Sequence, residues 1–100
     1  MPIPEERLEA VRNYLREAFP GCELSDQADG IRGAHSFRLT RQGSPAHMLK
    51  VSRELLEDNQ PAQISAILAH RAAAQALRDA ADHRLLLTSH GLSRLAPAVS

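Results

Sequence analysis

Apolar residues recur at Leu8, Val11, Leu15, Ala18 and Phe19, with Arg7, Glu9, Arg12, Arg16 and Glu17 on the wetter positions between them. Spacings of three and four predict an amphipathic helix. Pro4 suits its first turn, where a missing N–H does no harm, and Glu5 and Glu6 match the positive end of the helix dipole. Pro20-Gly21 is the stop.

The period then drops to two. A weak strand covers residues 22–28 and ends at the Asp29-Gly30 turn signal. Two clearer strands follow at 35–40 and 47–51, with Arg41-Gln42-Gly43-Ser44-Pro45 between them. His35, Phe37 and Leu39 share one face, as do His47, Leu49 and Val51. A hairpin centred on Gly43 pairs 35 with 51, 37 with 49 and 39 with 47, which turns every apolar residue the same way. On the opposite face Ser36 meets Lys50 and Arg38 meets Met48.

Ser52 is a candidate cap for a short helical turn over residues 53–58. A long helix is expected over 61–81, with Ile67, His70, Ala74, Leu77 and Ala81 along one face, Ile64 beside them, and an Ala-rich stretch that allows close packing. Leu85-Leu86-Leu87 is the expected final strand, followed by a His90-Gly91 turn. The order α-β-β-β-α-β gives an α+β fold: two layers, a predominantly antiparallel sheet and helices on one face. One domain is expected over residues 1–100, with 91–100 as a flexible tail.

Helix–three strands–helix order superficially resembles the double-stranded RNA-binding domain. That domain's second helix opens with a lysine-rich motif, but Asn59-Gln60-Pro61-Ala62-Gln63 stands at the matching place here. The extra strand at 85–87 departs from the pattern too, so no membership is assigned.

Composition adds limits. Hydrophobic residues make up 43% of the chain, enough for a folded core. With aromatics confined to Tyr14, Phe19 and Phe37, that core is aliphatic and small, which makes self-association a reasonable way to bury more surface. No run approaches the roughly 20 apolar residues needed to cross a bilayer. The N-terminus lacks a secretory pattern, so a cytoplasmic location is expected. Cys22 is the lone cysteine, which excludes an internal disulfide and Cys-pair metal motifs; a small apolar filler is its expected role.

Overall neutrality hides an uneven distribution of charge. Residues 1–29 hold three arginines against seven carboxylates, whereas residues 30–53 hold Arg32, Arg38, Arg41, Lys50 and Arg53 and no carboxylate. These five cations are the candidate contacts for an anionic partner, either an acidic protein or a nucleic acid. No aromatic falls on the outward register to stack an unpaired base, since Phe37 belongs to the core face.

Catalytic and metal chemistry find little footing. His35 and His47 face the same way without opposing each other. His70 interrupts an apolar helical line and is the candidate packing or interface histidine. Glu54, Glu57 and Asp58 read as a solvated helix surface rather than a cation site. No phosphate-binding glycine loop, zinc signature or hydrolase elbow occurs. No catalytic residue, cofactor or metal is assigned. The leading expectation is a small interaction or regulatory protein, homodimeric through a sheet edge or the Ala-rich helix. A nucleic-acid-binding accessory domain is the alternative, and a small hydrolase or ligand-binding enzyme stands behind both.

Overall fold

A computed structural model describes residues 3–29, 33–80 and 84–95. The elements run α1 (Glu5–Ala18), β1 (Glu23–Asp29), β2 (Ala34–Arg41), β3 (Ser44–Ser52), α2 (Arg53–Asp58), α3 (Pro61–His70), α4 (Ala73–Ala80), β4 (Arg84–Thr88) and β5 (Gly91–Leu95). The five strands form one sheet in the order β1-β2-β3-β4-β5. Every neighbouring pair is antiparallel except β3 and β4, which are parallel because the three helices between them carry the chain back to the start of the sheet.

The expected hairpin register is the observed one. His35 pairs with Val51, Phe37 with Leu49 and Leu39 with His47. Gln42 (φ 52°) and Gly43 (φ 80°) form the two-residue turn, the positive-φ pair whose twist matches the flanking strands. Beyond Leu39 the register slips by one, so that Thr40 pairs with Pro45. The bulge at Ala46 lets the tight turn close while the core-facing register stays intact.

Alternation sends Phe37, Leu39, Leu49, Val51, Leu85 and Leu87 to the helix side, where all are buried with Leu8, Val11 and Leu15 of α1, Ile64 and Leu68 of α3, and Leu77 of α4. The helices therefore occupy one side of the sheet. Ser52 caps α2 as the sequence indicates, its hydroxyl accepting from the Leu55 N–H at 3.1 Å.

Two elements differ from the sequence reading. The expected helix over 61–81 is two helices, broken at Arg71 and Ala72, with Ala72 at φ 52°. Unbroken, it would be about 30 Å long at about 1.5 Å per residue, as long as the widest extent of the molecule, 31 Å. The break lets α3 pack on α1 and α4 return over β3 and β4. Tyr14 serves this turn: its hydroxyl accepts the Ala74 N–H at 3.1 Å, a donor the start of a helix leaves unpaired. The second difference is β5, which pairs along β4 from Arg84–Leu95 to Thr88–Gly91, where the sequence indicated a turn and a tail. Residues 96–100 lie outside the described residues.

Candidate functional site

With the helices on one side, no described helix covers the other side of the sheet, which is called the open face below. Register places two adjacent rows across all five strands. One runs Ser25, Arg38, Met48, Arg84, Leu95 and the next Gln27, Ser36, Lys50, Leu86, Ser93. Cross-strand partners point to the same face. The ten positions hold three cations and no carboxylate. Neighbouring strands lie about 4.8 Å apart, so Arg38 and Arg84 stand about 10 Å apart across β3, with half-buried Met48 between them and Lys50 and Leu86 in the next row. Arg38 and Arg84 are exposed and make no ion pair or hydrogen bond with the described residues.

Of the five cations singled out in the sequence, Arg38 and Lys50 thus share this face. Arg41 stands at the hairpin end and reaches back to Cys22 Sγ at 3.6 Å. Arg53 opens α2 and pairs with Glu57 at 3.3 Å. Arg32 lies outside the described residues. Arg84 was missed because nothing local in the sequence tells β4 to lie beside β3.

Most other arginines in α1 and α4 act as internal fasteners. Arg7 donates to the Leu56 carbonyl at 3.0 Å and so closes the end of α2. Arg78 donates to the Ala18 carbonyl at 2.8 Å and lies over the Phe19 ring. Arg12 grips Asp26 with two parallel bonds, Nε to Oδ1 and Nη2 to Oδ2, both at 2.8 Å, and also contacts Glu5 and Glu9.

His35 Nε2 stands 2.6 Å from Asp26 Oδ2, with its ring buried beside Phe37. A histidine–carboxylate pair invites a catalytic reading, but both Asp26 oxygens are already engaged and, among the described residues, no hydroxyl or thiol hydrogen-bonds to the pair. The cluster ties α1 to β1 and β2. The Arg12 hydrogen bonds hold the Asp26 carboxyl below its ordinary range, with His35 adding to the effect and burial opposing it.

His47 faces the helices and packs its ring on Phe19 at a 4.7 Å centroid distance. Its Nδ1 is buried without a hydrogen-bond partner. Burial pushes its pKa down, against an opposing contribution from the Leu77 backbone, with Arg41 and Arg78 adding smaller downward contributions, so the neutral ring is favoured. His70 is exposed at the end of α3 rather than packed into the core, because the helix stops there.

A cleft of about 500 Å³ opens beside His70. Leu55 and Asn59 of the α2 end, Ala66, Ile67, His70 and Arg71 of the α3 end, and Thr88 and Ser89 after β4 form its walls. Among the described residues no group of three or more His, Cys, Asp or Glu is placed to hold a metal ion, and no helix is long and apolar enough to cross a membrane. No protein-family model, curated protein or solved structure matches this chain.

Proposed function

We propose that this chain is a cytoplasmic interaction domain whose open sheet face docks an acidic protein surface. The observation that carries this reading is the pair of cross-strand rows: Arg38, Lys50 and Arg84 surround Met48 and Leu86, and no carboxylate interrupts them. Apolar side chains enclosed by cations suit a protein partner, which can bury the apolar centre while its carboxylates meet the rim. A nucleic acid would use the cations but gain little from Met48 and Leu86, and neither row contains an aromatic for a base to stack on.

Amide chemical shifts distinguish the two. An alternating Glu/Leu peptide should perturb Arg38, Met48, Lys50, Leu86 and Arg84 in a salt-sensitive manner. The combined Arg38→Glu, Lys50→Glu and Arg84→Glu variant should weaken that binding at least tenfold while preserving the dispersed spectrum of the fold. A steep salt dependence for duplex or single-stranded oligonucleotide, with no response to the peptide, would transfer the face to nucleic acid. Silence toward both would reject docking here.

A further inference from the structure

The cleft beside α3 has its own logic. In open sheets with helices packed on them, ligands gather outside the carboxyl ends of parallel strands, where successive connections leave in different directions. This sheet has one parallel pair, β3 and β4. After Ser52 the chain turns into α2, whereas after Thr88 it turns back into β5. The cleft opens between those two departures, walled by Leu55 and Asn59 on one side and Thr88 and Ser89 on the other.

Its walls divide by chemistry. Leu55, Ala66 and Ile67 are apolar. Asn59 is fixed by donating from Nδ2 to the Leu55 carbonyl at 2.8 Å. The Thr88 hydroxyl is engaged with the β4–β5 turn, accepting from the His90 N–H at 3.1 Å. The side chains of Arg71 and Ser89 make no hydrogen bond or ion pair with the described residues, and the lining contains no carboxylate.

The guanidinium of Arg71 lies beside the β4–β5 turn. Gly91, at φ 131°, has no side chain, and a Cβ there would meet Arg71 Nη1 at 3.6 Å, Cζ at 3.7 Å and Nη2 at 4.0 Å. A cation positioned beside an apolar wall, with no carboxylate in that wall, suits recognition of an anionic group.

We infer that this cleft binds a small monocarboxylic acid with an apolar body. The carboxylate meets Arg71, with Ser89 as a further donor, and the apolar body lies along Leu55, Ala66 and Ile67. The volume falls within the range of small-molecule sites, roughly 300–1,000 Å³. One arginine balances one negative charge. The C-terminal end of α3 is at the same place, and its partial negative charge opposes a dianion such as phosphate more strongly than a single carboxylate, whose one charge Arg71 offsets.

The test is an amide-shift titration of the full chain with three probes: 4-phenylbutyrate, the matching alcohol 4-phenylbutan-1-ol, and inorganic phosphate. The carboxylate should give saturable shifts at Ile67, Arg71 and Ser89. The alcohol should bind at least tenfold more weakly, and phosphate should leave these amides unmoved. Arg71→Gln should weaken carboxylate binding at least tenfold, and Ala66→Glu, at an exposed position that brings a like charge into the cleft, should abolish it, both with the spectrum otherwise retained. The inference is overturned if the carboxylate gives no saturable shifts, if the alcohol binds equally well, if Arg71→Gln leaves the affinity unchanged, or if phosphate binds in place of the carboxylate.

Discussion

At the scale of single residues, the arrangement around Asp26 separates a structural ion pair from a reactive one. Its two oxygens receive Arg12 and His35, and its side chain is only 14% exposed, so replacing the carboxylate by an amide removes the buried negative charge and sets an N–H donor against one of the donors it now accepts from. Asp26→Asn should destabilise the fold at pH 7 by about 2 kcal/mol, below the range for a fully buried pair because Arg12 retains Glu5 and Glu9. The sign with pH follows from linkage. The folded-state pKa lies below the ordinary value of 3.8, so the contribution is fully present above that value and is lost as pH falls through the folded pKa. Urea unfolding of both proteins should show the full gap at pH 7 and a shrinking one in acid. A gap under about 0.5 kcal/mol at pH 7 would place the pair among exposed bridges of little consequence. Asp26 could not be singled out from the sequence. Its inward position depends on the β1–β2 register, which pairs it with Phe37 and which the weak alternation of β1 does not announce.

The scale of elements is where the sequence was both most and least informative. The β2–β3 hairpin was readable because alternation, a turn glycine and burial all require one register. The break between α3 and α4 was unreadable because Arg71-Ala72-Ala73-Ala74 has high helix propensity and no breaker. Tertiary packing overrides it: with the axis turned, Ala73, Ala74 and Leu77 are all buried in the core. Ala72 takes on the strain of a left-handed conformation, which disfavours a residue with a Cβ by about 1–2 kcal/mol. Ala72→Gly relieves that strain but adds about 0.4–1 kcal/mol of unfolded-chain entropy to overcome. A net stabilisation of about 0.5 kcal/mol is expected, a rise in Tm of about 2–4 °C for a chain of this size. Thermal unfolding reads the sign directly, since glycine inside a continuous helix would lower stability by about 1 kcal/mol instead. The same break ends α3 beside β4, so the cleft at His70 and Arg71 was as hidden as the turn that makes it.

At the scale of the whole molecule, the question is what surfaces remain for a second copy. The Cα radius of gyration, 12.5 Å, matches the roughly 13 Å of a compact chain this long, and the aliphatic core closes within one chain. The Ala-rich helix that suggested a symmetric partner has Ala73, Ala74 and Leu77 already buried against its own sheet. The open face was half legible: Arg38 and Lys50 followed from alternation, whereas Arg84 depended on a pairing between distant segments. Apposing two such faces about a two-fold axis would bring Arg38, Lys50 and Arg84 against their own copies, a repulsion that salt weakens as the Debye length shortens. Pairing at the β1 or β5 edge relies on backbone hydrogen bonds and has no such dependence. Sedimentation across the micromolar range at about 50 mM and about 500 mM salt distinguishes the two arrangements, because the screening length falls from about 14 Å to about 4 Å between them. The expected mass at each protein concentration is the same in both salts, as it is for a chain that does not pair through its open face. A dimer that appears only at the higher salt would instead put open face against open face and remove that surface from the one available to an acidic partner.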